Sequence, residues 1–161
     1  MILPDVLSYN LKIAFCGSAA SKKSKLLKSY YAGPGNKFWK TLHEIGLTSK
    51  LLKPSEFKKI LDFKIGLTDI CKTDYGNDNE LDTSKYDVGG FNVKILEYKP
   101  NIVCFNGKNA AKAYLNQKKV DYGYQDKRVG ESKIFIAPST SGAANGFWNL
   151  DTWKLLVINS H

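Results

Sequence analysis

Apolar positions along the chain follow two periods in turn. Residues 11–16, 65–70, 101–105 and 133–137 are short runs rich in β-branched and aromatic side chains, and they read as strands buried on both faces. Between them the apolar residues recur at helical spacing. Over 34–45, Phe38, Trp39, Leu42 and Ile45 fall on one face, with Pro34 in the first turn and Gly46 as the stop. Further helices are predicted over 55–61, led in by Pro54, and over 91–98, 107–115 and 148–158. Residues 73–90, crowded with Asp, Asn and Gly, read as a long loop of the kind that is usually functional or mobile. Strand–helix alternation predicts an α/β fold: one domain over 1–161, with about four short, mainly parallel strands between two helical layers. Ligands of such sheets bind at the carboxyl ends of the strands. Function is therefore sought in residues 17–21, 66–69, 106–108 and 138–145.

Composition narrows the class. At 161 residues, 43% hydrophobic and 24% charged, the chain is an ordinary globule rather than a disordered, collagen-like or coiled-coil protein. No apolar run approaches the roughly 18 residues of a membrane span. Met1-Ile2-Leu3-Pro4-Asp5 lacks the basic and apolar regions of a secretory signal. The expectation is an intracellular, cytoplasmic protein, at the nucleoid if it binds DNA, with no membrane partner. Lys and Arg number 24 against 15 Asp and Glu, a net charge of +9. Such an excess suits a polyanion, or else a solvated lysine surface. Lys far outnumbers Arg, which favours phosphate contacts over base-edge readout. Cys16, Cys71 and Cys104 are widely spaced in apolar contexts, with no C-x-x-C pair. They read as reduced and buried, and no metal site is expected.

Two strand ends carry runs of small residues. Gly17-Ser18-Ala19-Ala20-Ser21 lacks both the Walker and the dinucleotide spacing, so it is either a phosphate cradle or a tight turn. Ser139, Thr140 and Ser141 set three hydroxyls before Gly142, Ala143, Ala144 and Asn145: a phosphate grip, or a turn bonded to itself. Lys22, Lys23, Lys25 and Lys28, followed by Tyr30 and Tyr31, combine charge with aromatic faces, as a strand-gripping segment does; a solvated lysine face is the other reading. Hydrolysis needs a group to orient or deprotonate water. His43 lies mid-helix, and His161 is the last residue. Among Asp69, Asp74, Asp78, Asp82 and Asp87, Asp69 stands out because it ends an apolar strand, where it serves either chemistry or as a helix cap.

Taken in order, Phe15-Cys16-Gly17-Ser18-Ala19-Ala20-Ser21, Tyr31-Ala32-Gly33-Pro34-Gly35-Asn36-Lys37-Phe38-Trp39, Gly66-Leu67-Thr68-Asp69 and Pro138-Ser139-Thr140-Ser141-Gly142 resemble the uracil-DNA glycosylase superfamily. The resemblance covers nearly the whole chain and is nearest to the mismatch-specific branch that includes thymine-DNA glycosylase. It implies a three-layer α/β/α sandwich and excision of uracil from DNA, often opposite guanine, by a monomer without metal or cofactor, with the target nucleotide flipped out of the duplex. It implies a base pocket formed by Gly17, Ser18, Ala19, Ala20, Tyr31 and Asn36, with Tyr31 as the stacking aromatic. It also implies DNA contacts by Ser21, Lys22 and Lys23 and by the loop Ser139, Thr140, Ser141, Gly142, Ala143, Ala144 and Asn145.

Two positions depart from the family pattern. Ala19 stands where the usual first motif has the water-positioning Asn, and a methyl group cannot orient water. Some members share this alanine form and use a nearby aspartate, so Asp69, then Asp78, becomes the catalytic candidate. Ala143 stands at the wedge position and is too small to fill a vacated base stack, which leaves Asn145 or Phe147 to share the task. A glycosylase for hypoxanthine or xanthine, and a non-catalytic DNA-binding module on the same fold, are the alternative functions.

Overall fold

The computed structural model describes residues 1–158. Its sheet has five strands: β1 (Ile13–Gly17), β2 (Ile65–Asp69), β3 (Ile102–Asn106), β4 (Gly123–Val129) and β5 (Ser132–Ala137). They lie in the order β2-β1-β3-β5-β4, and every pairing is parallel except β4 with β5. The α-helices are α1 (Lys22–Leu27), α2 (Phe38–Glu44), α3 (Val88–Tyr98), α4 (Lys108–Leu115) and α5 (Leu150–Ile158).

Alternation along the strands builds two cores. Ile13 and Phe15 of β1 pack on one side of the sheet with Phe38 and Leu42 of α2 and with Trp153 and Leu156 of α5. Ala14 and Cys16 pack on the other side with Phe91 and Ile95 of α3 and with Ala110 and Ala111 of α4. Both faces of β1 are thus buried, and so its sequence is a continuous apolar run. The three cysteines are free and buried. No helix among the described residues is long and apolar enough to cross a membrane.

The four predicted strands are present, shifted by a residue or two. The fifth, β4, has the sequence Gly-Tyr-Gln-Asp-Lys-Arg-Val and lies at the sheet edge with Asp126, Lys127 and Arg128 exposed. It is charged because it is an edge strand, and its apolar signal is correspondingly weak. The basic segment folds into α1, capped by Ser21, whose hydroxyl accepts from Ser24 N. α2 starts four residues later than predicted, because residues 34–37 form a turn in which Asn36 Oδ1 accepts from Phe38 N at 3.0 Å. Residues 54–63 form a 3₁₀ segment kinked at Glu56, not an α-helix. The long loop holds two 3₁₀ turns, Asp78–Glu80 and Thr83–Lys85, and α3 follows it three residues early because Asp87 caps Gly90 N at 2.8 Å. The last helix begins at Leu150, preceded by a 3₁₀ segment over Gly142–Phe147.

Candidate active site

A cleft of about 660 Å³ opens at the carboxyl ends of β1, β2, β3 and β5. It gathers most of the candidates: Gly17, Ser18, Ala19, Ala20 and Ser21 from the first loop, Tyr31 and Asn36, Asp69, Asp78, and Ser139, Thr140, Ser141, Ala143 and Ala144 from the last. Lys22, Lys23, Gly142 and Asn145 lie outside its lining.

The first loop is pinned from behind. The carbonyls of Gly17, Ser18 and Ala20 accept from the N–H groups of Ile70, Cys71 and Gly76 at 2.8–2.9 Å. In this register Gly17 pairs directly with Asp69. A β-carbon at Gly17 would stand 2.7 Å from Asp69 Oδ1 and 3.3 Å from the Tyr31 hydroxyl oxygen. The glycine therefore lets a carboxylate and a phenol close on the same point of backbone.

Asp69 is 5% exposed at the floor of the cleft. Burial pushes its carboxyl up to about 6 from the ordinary 3.8; the charges of Lys72 and Lys94 pull the other way, and Asp5 adds to the rise. Beneath it, Asp5 receives Lys72 Nζ at 2.9 Å, Lys94 Nζ at 2.6 Å and the Thr68 hydroxyl at 2.7 Å. Burial alone would raise the Asp5 carboxyl, but these three donors outweigh it and hold the group below its usual range. The two carboxylates thus differ in kind: Asp5 is neutralised by cations, while Asp69 is left poised between its charged and neutral forms. Asp78, by contrast, is exposed on the rim and accepts from Asn109 Nδ2 at 2.6 Å.

Tyr31 adopts φ 53°, a left-handed posture unusual for a bulky residue. Its ring stacks on buried Phe38 with centroids 4.0 Å apart and planes 24° from parallel. It is partly exposed to the cleft, which leaves a flat aromatic surface available to a ligand.

The last loop is clamped to the 34–37 turn. Gly35 and Gly142 meet backbone to backbone, where a β-carbon on Gly142 would come within 3.3 Å of Gly35. Lys37 N donates to Thr140 O at 2.9 Å, and Lys37 Nζ donates to Asn145 Oδ1. Thr140 is fully buried and exchanges two bonds with Asn106, so its side chain is an internal strut. Ser141 caps the following 3₁₀ segment through Ala143 N, and Ser139 accepts from Ser141 N. Exposed Ala143 and Phe147, the latter 74% exposed, stand at the cleft's lip.

The cleft is also lined by Asn106 and Lys108 of the strand-end segment 106–108, and by residues to which the sequence assigns no role, among them Asn109, Lys112 and Tyr122. Lys108 Nζ sits 4.4 Å from the centre of the Tyr122 ring, a basic and aromatic wall on the β3 side. Asn106-Gly107-Lys108 was marked as a strand end, but nothing in its composition singled it out. Of the basic segment, Lys25 is engaged over the Tyr75 ring at 3.8 Å, Lys22 lies 3.9 Å from Glu80, and Lys23 is exposed. His43 is bonded to Thr48 O on the surface of α2, away from the cleft. His161 lies outside the described residues.

The sandwich and its strand-end cleft define a class, the uracil-DNA-glycosylase type of α/β fold. The sequence profile of the Uracil DNA glycosylase superfamily matches residues 4–159, and the chain belongs to that superfamily. Its members are DNA glycosylases, hydrolases that act on DNA, which supports a function of that kind here. The fold is similar to the solution NMR structure of a "putative Uracil DNA glycosylase" from Methanosarcina acetivorans, with a TM-score of 0.67 and 24% sequence identity over 97% of this chain and 93% of that one.

Proposed function

We propose that the protein is a monofunctional glycosylase of base excision repair, in the mismatch-specific branch. On this reading it hydrolyses the N-glycosidic bond of uracil in double-stranded DNA, with G:U pairs as the leading substrate. The observation that carries the reading is Asp69: a buried carboxylate of raised pKa, pressed against the first loop at the floor of a cleft floored by strand ends.

Cleavage leaves positive charge on the sugar and negative charge on the departing base, through an oxocarbenium-like transition state. Asp69 as carboxylate stabilises the cation, orients a water at C1′ and receives its proton. Ala19 contributes no polar group, so the task usually given to a first-motif Asn falls to Asp69. Asp78, exposed and bonded to Asn109, belongs to the rim and not to the reacting centre. The carbonyls of Gly17, Ser18 and Ala20 are pinned backwards, and N–H groups of the first loop that face the cleft serve as donors to the uracil oxygens. Tyr31, backed by Phe38, stacks on the flipped base, and Asn36, fixed through Phe38 N, shapes the pocket wall. At the lip, Ala143 is too small to replace an extruded nucleotide. Phe147 is large and exposed there, and it fills the gap in the stack.

Single-turnover incubation with labelled duplexes containing G:U, A:U, G:T or hypoxanthine, beside single-stranded uracil, followed by alkaline strand cleavage, tests the function. Abasic sites at G:U are expected. Cleavage of the hypoxanthine duplex alone moves the specificity, and DNA binding without cleavage of any substrate favours a binding module.

The basic segment gives a separate expectation. If Lys22 and Lys23 each neutralise a phosphate, their double substitution by Ala flattens the slope of log Kd against log salt by about two. An unchanged slope in a salt titration assigns them to the solvated surface.

A further inference from the structure

Among the buried side-chain oxygens and nitrogens of the described residues, the Tyr31 hydroxyl is the one without a hydrogen-bond partner. Its neighbours explain why. The nearby Asn106 amide is turned to Thr140, with Nδ2 donating to Thr140 Oγ1 at 2.9 Å and Oδ1 accepting from Thr140 N at 3.0 Å, and it makes no hydrogen bond with the hydroxyl. Burial and the nearby Asp69 charge both work against ionisation, so the group is a neutral O–H donor with nothing to donate to. A phenylalanine would stack on Phe38 equally well without leaving a buried donor unused. The hydroxyl is also well aimed. It and Asp69 Oδ1 converge on the Gly17 backbone, 3.3 and 2.7 Å from the place a β-carbon would take. These distances put the two oxygens no more than about 6 Å apart, a span that one bridging water closes once it is admitted beside the first loop.

We propose that the Tyr31 hydroxyl is a positioning group for the attacking water, held jointly with Asp69; the inference rests on the glycosylase reading above. Tyr31 donates its O–H to one lone pair of the water, and Asp69 accepts one of the water's hydrogens. The second lone pair then faces C1′. As the water oxygen bonds to C1′, the C1′–N bond breaks and its electron pair leaves with the base. The water's proton passes to Asp69, and the departing base takes a proton from solvent. Ala19, at the first-motif position, supplies no such contact, and the Tyr31 hydroxyl takes its place.

The test is Tyr31→Phe, which keeps the ring and removes the oxygen. Single-turnover excision from the G:U duplex is expected to fall on the order of 10- to 100-fold, with DNA affinity unchanged and a melting temperature equal to or above that of the wild type. A purely structural hydroxyl would lower the melting temperature and leave the rate per folded molecule alone, and that result overturns the inference. So does a rate within about twofold of the wild type. Wild-type protein in the same assay separates the two failures. Wild-type excision with an unimpaired variant overturns this inference alone, while no excision by either on any substrate of the panel overturns the glycosylase reading and this inference with it.

Discussion

Asp69→Asn is expected to lower single-turnover excision of uracil on the order of 10²–10⁴-fold while making the protein more stable at neutral pH. The two effects have one cause. The carboxyl is 5% exposed, and burial raises its pKa from 3.8 to about 6. A carboxyl whose folded pKa is raised binds its proton more tightly in the folded state. Stability is therefore unaffected by this group below pH 3.8 and falls as pH rises through about 6. A shift of that size corresponds to up to about 3 kcal/mol, which an amide at the same position does not lose. Thermal or urea unfolding of the two proteins at pH 7.5 and pH 3.5 checks this. The variant should gain at the higher pH and show little difference at the lower. Lost activity with gained stability marks strain held at a functional site; loss of both would mean that Asp69 holds the fold together.

Gly17→Ala should be nearly as damaging, for a steric reason. Gly17 does not occupy a left-handed conformation, so alanine fits the backbone. Its methyl group, however, would stand 2.7 Å from Asp69 Oδ1, closer than real contacts allow. Gly17 and Asp69 are the last residues of β1 and β2 and pair with each other in register, so the backbone is held and the carboxylate has to turn. A displacement of about 1 Å at a reacting group costs on the order of 100-fold in rate. Excision should fall by that factor, with the circular dichroism spectrum and DNA affinity close to wild type. An unimpaired Gly17→Ala would show that Asp69 does not act from the position it holds here.

The parts of this architecture that were legible from sequence are those where one physical demand dominates. β1, β2, β3 and β5 are buried on both faces, so each is a run of apolar residues, and the parallel sheet with its strand-end cleft follows. Asp69 was legible as a candidate because it ends such a run, where the fold places ligands, although a helix cap was the other reading of the same position. β4 was not, because an edge strand carrying Asp126, Lys127 and Arg128 exposed has the composition of a loop. α2 starts four residues beyond Pro34 because Pro34 belongs to the preceding turn, where Asn36 Oδ1 accepts from Phe38 N, and a side chain bonded two residues ahead leaves no periodic trace. Asn106 lies in a strand-end segment picked out from the sequence, but its bonding to Thr140, 34 residues away, is set by the fold. Lys108 follows β3 and Tyr122 precedes β4, so their meeting at the cleft is fixed by the order of the strands in the sheet. The difference between Asp69 and Asp78 is likewise tertiary: both are aspartates near the same loop, and only burial separates a poised acid from a rim residue.

The measurement that tests the central claim most directly is the single-turnover rate of uracil release from a G:U duplex between pH 4.5 and 8.5. If ionised Asp69 orients the water, the rate rises about tenfold per pH unit at low pH and levels off above about 6, where its carboxyl titrates. Release that is flat across this range, or absent throughout while the duplex stays bound, would contradict the account.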